Sequence, residues 1–298
     1  MNLPGVQEPQ AAVSAEITRQ SGSNLALAFI LLPPEKRAAM SVLYAYCRQV
    51  DDVADEDDVP VARRAAELRR WREETRRACD GLSPSIPVVR ELVPVIARHR
   101  LPFSLFDDLL AGVEMDLVTV RYPDLASLER YCYHVASVVG LLSIEVFGYV
   151  DPGCRAYADA LGKALQFTNI LRDVGNDAQR GRIYLPQDAL RAHGVAEADI
   201  LDGRCSDGFL ALARETAGHA RRFFAAARAA LPAADAGNMM TAELMAAVYG
   251  RLLVEIERRG FPVLDPRPIR LGRARKLLLI LGTVLRWKLG LGPARHGV

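Results

Sequence analysis

The sequence is poor in the signatures of most nucleotide, metal and redox chemistries. It has no GxxxxGK[ST] loop and no GxGxxG opening a helix, so the two common backbone cradles for nucleotide phosphates are missing. No GxSxG elbow offers a serine nucleophile. No Glu is followed by His three residues later, which excludes a di-iron carboxylate bundle. The five histidines form no ligand spacing, and His134 reads as a core or pocket-supporting residue. The cysteines Cys47, Cys79, Cys132, Cys154 and Cys205 are odd in number and contain no CxxC pair. Buried thiols in a reducing compartment are therefore expected.

Charge of one sign is also missing. The net charge is only +2, which gives no nucleic-acid signal. The basic stretch from Arg63 to Arg77 is interrupted by Glu67, Glu73 and Glu74, and reads as a solvated helix face. Residues 1–20 lack a basic region followed by an apolar one, so they read as a flexible leader, with 291–298 as a tail. The apolar run Leu277 to Leu285 has nine residues, against about 20 needed to cross a bilayer. A buried terminal helix is the favoured reading of that run. An interfacial helix is the alternative, because Arg273, Arg275, Lys276, Arg286 and Lys288 flank it.

What is present is helical periodicity across 298 residues, half of them hydrophobic. Pro33-Pro34-Glu35 opens a helix reaching about Asp57, with proline where its missing N–H costs nothing. Further helices are expected over 61–80, 87–99, 103–121, 126–149, 153–178, 207–231, 239–259 and 272–289. Apart from the short Arg182–Leu185 segment, nothing alternates with the period of a strand. Short connections favour one all-α domain, residues 21–290.

Two acidic constellations carry the chemistry. Gln166, Asn169, Asp173 and Asp177 fall within about an 80° arc of one helix face. Oxygen ligands on one face suit Mg²⁺, which keeps water or phosphate oxygens in its shell. A solvent-facing amphipathic helix is the competing reading of this stripe. The second constellation weighs against it. Tyr44, Arg48, Asp51 and Asp55 share a face that is continuous with apolar residues upstream. Paired carboxylates on two helices are what a metal–diphosphate site across a bundle requires. Arg48 and Arg172 lie beside them to bind phosphate oxygens.

With these motifs in hand, the chain resembles the squalene/phytoene synthases, which join prenyl diphosphates head to head within an isoprenoid synthase helical bundle. The resemblance runs from about Ser21 to Lys276. It rests on Tyr44–Asp55, on Gln166–Asp177 followed by Arg182-Ile-Tyr184-Leu-Pro, and on Tyr131–Gly140. It implies that Asp51, Asp55, Asn169, Asp173 and Asp177 bind Mg²⁺, with Mn²⁺ as a substitute. It implies that Arg48, Gln166, Arg172, Arg182, Tyr184 and Arg270 hold the diphosphates, and that Ala136, Val139, Gly140 and Leu165 line the prenyl channel. Tyr131 and Tyr44 would steer carbocations or accept a proton, while the plain alternative is a buried tyrosine with a bonded hydroxyl.

Within that family the wording of the motifs, including Glu114-Met-Asp116-Leu, is most similar to bacterial presqualene diphosphate synthases acting in squalene and hopanoid routes. Farnesyl diphosphate is the expected substrate, NADPH is not expected, and phytoene or dehydrosqualene synthesis is the runner-up. The chain has Asn24–Phe29 where many relatives carry aromatic residues, which bears on prenyl length. A non-catalytic prenyl-diphosphate-binding bundle would not need both acid pairs and their arginines. A cytoplasmic protein is expected, with peripheral contact at the inner face of the membrane. Nothing in the sequence specifies an oligomeric state.

Overall fold

The computed structural model describes residues 13–21 and 28–289. The expected contacts around Asn24–Leu27, the first part of the leader and the 291–298 tail lie outside those residues. Among the described residues the secondary structure is helical throughout, with one isolated parallel bridge between Arg121 and Ile183. The helices are α1 (Val13–Ser21), α2 (Pro34–Asp55), α3 (Val61–Cys79), α4 (Pro87–His99), α5 (Phe103–Met115), α6 (Leu125–Cys132) and α7 (Val138–Phe147). They continue as α8 (Gly153–Gln179), α9 (Gln187–Ala192), α10 (Glu197–Leu201), α11 (Asp207–Ala230), α12 (Met240–Arg258) and α13 (Arg273–Lys288).

Proline and short polar side chains set many of the starts. Pro34 and Pro87 occupy first-turn positions of α2 and α4, where no intrahelical N–H is needed. Asp124 and Ser127 form a reciprocal capping box on α6, and Ser206 accepts from the Phe209 amide on α11. The centre of the bundle is α8, 27 residues long and about 40 Å at 1.5 Å per residue. It buries Tyr157, Leu161, Phe167, Leu171 and Val174 against α7, α11 and α12. Because α8 is apolar on most sides, its one polar stripe must face a cavity or bonded partners.

The all-α expectation holds, and the departures are local. The helix expected over 126–149 runs without a gap from Leu125 to Phe147 but passes through a π-turn at Tyr133–Ser137. The one expected to 121 stops at Met115, freeing 119–122 to meet the segment around Ile183. The short α9 and α10 are too brief to show periodicity. Val13–Ser21, nearly all of it within the leader expected over 1–20, is helical and packs on α2.

The basic face of α3 is not uniformly solvated. Arg64 is buried and donates to the Ala54 carbonyl oxygen, and Arg72 bridges Asp107 and Glu114 at 2.6 Å each. Cys132 and Cys154 are buried as expected, whereas Cys205 is exposed. His134 is packed against the α5 backbone at Gly112, 3.8 Å from Asp108. On α13, Leu279 and Ile280 pack inward but Leu277, Leu278, Leu281 and Leu285 are exposed. The fully buried terminal helix is therefore overturned for that face, since α13 covers only one flank of α12.

Candidate active site

A cavity of about 310 Å³ lies between α2, the π-turn and α7, α8, and α12. Its polar mouth is built from Arg48 and Asp51 on α2 and from Gln166 and Asn169 on α8. Its wall includes Ala136, Val139, Gly140 and Leu165, the positions that the resemblance assigns to the prenyl channel, together with Tyr44. Close backbone crossings shape it. A Cβ on Gly162 would lie 2.6 Å from the Ser137 backbone, and one on Gly140 would lie 3.0 Å from the Ala158 carbonyl oxygen. Only glycine lets α8 approach the π-turn and α7 so closely. From Asn169 back to Tyr157 the cavity follows α8 for twelve residue steps, about 18 Å. Phe147 and Tyr157, set against Glu243 by a 2.8 Å hydrogen bond, line that inner part.

Beyond the mouth the two acidic motifs come together at the C-terminal ends of α2 and α8. Arg180, just past α8, donates to Asp55 at 3.1 Å and to Asp57 at 2.7 Å. Arg182 lies 3.7 Å from Asp55. Arg172 and Asp173 pair with each other, through Nε to Oδ1 at 2.7 Å. Arg48 pairs with Asp52 at 2.8 Å rather than with Asp51. Arg270 is exposed, and the structure gives it no bond to either motif.

Asp116 is the residue that sequence reasoning passed over. It follows α5, and its two carboxylate oxygens each accept a hydrogen bond, from Tyr131 and Tyr184, at 3.0 Å. The rings of Tyr122, Tyr131 and Tyr184 pack together at centroid distances of 5.3–5.7 Å. The Glu114-Met-Asp116 run was visible in the sequence, but no helical spacing links it to either motif. Only the bridge between Arg121 and Ile183 brings it beside Tyr184. Arg180 was missed for a related reason, since its partners lie 123 and 125 residues away.

The carboxylates are strained electrostatically. Asp51 opens onto the cavity but is packed by protein on its other sides. That burial, with Asp116 and Asp55 nearby, pushes it up to about 7. Burial and the adjacent Asp173 push Asp177 up to about 7, and burial pushes Asp116 up to about 6. Burial foremost, then Asp116, holds the Tyr131 hydroxyl well above its ordinary value.

No three carboxylate, imidazole or thiolate groups converge into a ready-made metal centre among the described residues. The donor set nevertheless fits a hard cation. The Asn169 Oδ1 atom is buried without a hydrogen-bond partner, and acids raised by burial and then by one another gain from an added positive charge.

The squalene/phytoene synthase profile matches residues 18–275. The chain belongs to the squalene/phytoene synthase family. This is a family of head-to-head prenyl-diphosphate-condensing transferases. The chain is 34% identical over 278 residues to phytoene synthase 3 of Zea mays, covering 91% of this chain and 64% of that relative. It thus spans under two thirds of the maize protein. It is also 34% identical over 283 residues to the presqualene diphosphate synthase of Rhodopseudomonas palustris, covering 94% of this chain and 98% of that one. The crystal structure of a dehydrosqualene synthase with a ligand superposes with a TM-score of 0.83 at 29% identity, covering 93% and 96% of the two chains. Squalene/phytoene synthase folds are thus matched along nearly the whole helical bundle, both acidic motifs included.

Proposed function

We propose that this squalene/phytoene synthase condenses two farnesyl diphosphates head to head to presqualene diphosphate, releasing pyrophosphate and a proton. The observation that carries the reaction class is the convergence of both acid pairs beside the mouth of a glycine-lined apolar cavity. The shorter prenyl group is favoured by the bulk of Phe147 and Tyr157 on the inner cavity wall. Near end-to-end correspondence with a presqualene diphosphate synthase supports the product. Equal identity to a phytoene synthase keeps phytoene or dehydrosqualene synthesis as the second reading.

Asp51, Asp55, Asn169, Asp173 and Asp177 would hold Mg²⁺, with substrate phosphate oxygens completing its shell. When bound, Mg²⁺ would neutralise the diphosphates and stabilise charge on the departing pyrophosphate. Arg48, Arg172 and Arg182 trade their present carboxylate partners for phosphate oxygens, each offering the planar donor fork that matches them. Gln166 donates its amide from the mouth. The first substrate then loses pyrophosphate by C–O cleavage, and the double bond of the second attacks the allylic cation. Loss of a proton closes the cyclopropane ring. Tyr44 on the cavity wall presents a ring face that can stabilise the cation, while Tyr131 and Tyr184, fixed by Asp116, order the polar side. Leu165, Val139 and Ala136 exclude water that would quench it.

The test is incubation of the protein with farnesyl diphosphate and Mg²⁺, with and without NADPH, followed by mass spectrometry of the products. Presqualene diphosphate in both arms is the expected result. Conversion of geranylgeranyl diphosphate alone would move the assignment to phytoene synthesis. Absence of pyrophosphate release with either substrate would refute the enzymatic reading.

A further inference from the structure

Tyr157 is the last residue of α8 to reach the cavity, and it ends a row that runs back from the mouth through Leu165 and Leu161. Its hydroxyl is turned away from the hydrocarbon space and donates to Glu243 Oε1 at 2.8 Å. Both residues are buried, Tyr157 at 1% and Glu243 at 9% exposure. Glu243 stands in the first turn of α12, set behind the tyrosine rather than in the cavity lining, at the end of a helix that favours a carboxylate. Burial foremost, then Glu243, holds the Tyr157 hydroxyl well above its ordinary value, so it stays a donor. A bond between two buried groups resists opening, because each would lose its partner without regaining water. The ring is thereby fixed. Phe147 shares the inner wall but has no polar atom by which it could be held.

We propose that Tyr157, held in place by Glu243, is the stop that limits the length of prenyl chain this cavity accepts. Glu243 is then a positioning residue, acting only through the tyrosine. The proposal rests on the prenyl reading of the cavity and adds what sets its depth. A chain whose diphosphate lies at the mouth runs past Leu165 and Leu161 and meets the phenol ring. That ring has about the bulk of one isoprene unit, and the surroundings of a deleted buried ring relax only partly, so its removal leaves usable space. Bulk alone would be a soft limit, since a side chain free to change rotamer yields to a longer ligand. The hydrogen bond makes the limit firm: to swing aside, the ring must take its hydroxyl from a buried acid. Helix α8 supplies the stop and α12 supplies its anchor, so the choice of chain length depends on how these two helices pack.

The experiment compares farnesyl with geranylgeranyl diphosphate by kcat/KM, and their thiodiphosphate analogues with Mg²⁺ by calorimetric binding, in the full chain and four variants. Y157A is expected to raise the geranylgeranyl-to-farnesyl ratio about tenfold or more in both measurements. Y157F and E243L free the ring while keeping the volume, and are expected to raise the ratio about threefold. They carry the test if Y157A does not fold. E243Q keeps an acceptor for the hydroxyl and is expected to hold the wild-type ratio. A pair with a purely structural role would lower the melting temperature and both substrates together. A ratio unmoved in Y157A, Y157F and E243L would therefore overturn the proposal. An E243L ratio equal to wild type beside a raised Y157A ratio would overturn the part given to Glu243. Wild-type turnover of farnesyl diphosphate with no variant changing the ratio would refute the stop alone. Absence of turnover, with an analogue-binding ratio that still shifts in Y157A, would refute the condensation alone.

Discussion

Arg180 donates through Nη1 to the Asp55 carboxylate at 3.1 Å and through Nη2 to the Asp55 carbonyl oxygen at 3.2 Å. One side chain at the end of α8 thereby clamps the end of α2. A guanidinium occupies Asp55, which the proposed cation also needs. Arg180→Gln is expected to tighten Mn²⁺ binding without substrate by up to about fivefold, the equivalent of the roughly 1 kcal/mol a partly exposed ion pair contributes. Electron paramagnetic resonance of free Mn²⁺ measures it. Weaker binding in the variant would instead mean that Arg180 holds Asp55 in the ligating position.

The raised acids predict a pH dependence of stability with a definite sign. Asp51 and Asp177 are pushed up to about 7 and Asp116 to about 6, above their unfolded values near 4. Between those limits the folded protein binds more protons than the unfolded chain. Stability of the ligand-free protein from these groups therefore falls as pH rises from about 4 to 7. Mg²⁺ with pyrophosphate should reverse the trend, stabilising more at pH 8 than at pH 6. Melting temperatures across that range, with and without the additions, check both limbs. A cation effect independent of pH would remove Asp51 and Asp177 from the site.

Asp116 accepts one hydroxyl on each of its oxygens, so Tyr131 and Tyr184 are held as a pair. Tyr184→Phe leaves one oxygen of a half-buried carboxylate without its donor and is expected to cost about 1–2 kcal/mol, read by urea denaturation. Asp116→Asn preserves volume but forces one tyrosine to turn from donor to acceptor. It is expected to lower kcat more than it raises KM, because it disturbs the polar side of the site rather than the cavity. An unchanged kcat would make the cluster purely structural.

Gly175 carries the second motif past a crossing segment. Its amide donates to the Val263 carbonyl oxygen at 2.8 Å, and a Cβ there would lie 2.3 Å from the Leu264 carbonyl oxygen. Gly175→Ala must displace backbone and is expected to cost about 1–3 kcal/mol or more. Gly218 on α11 has nothing within 4 Å of an added Cβ. Gly218→Ala is therefore expected to stabilise by about 0.5–1 kcal/mol through helix propensity. Paired thermal melts test the contrast, and equal effects would show that α8 can move away from 263–265.

Local physics made much of this protein legible in its sequence. Apolar spacing and proline starts located most of the long helices, because those signals act within a few residues. The shared faces of Asp51 with Asp55, and of Asn169 with Asp173 and Asp177, followed from helical geometry alone. The candidate pocket positions Ala136, Val139, Gly140 and Leu165 came instead from the resemblance to the squalene/phytoene synthases. Tertiary structure decided what depends on distant partners. Asp116 became part of the site because residues around Val120 meet Ile183, and Arg180 became a clamp because α2 and α8 end side by side. The glycines at 162 and 175 show their purpose only where another backbone crosses them. The apolar run at Leu277–Leu285 divided into a covered and an exposed face for the same reason: periodicity says which residues share a side of a helix, and only packing says what lies against it.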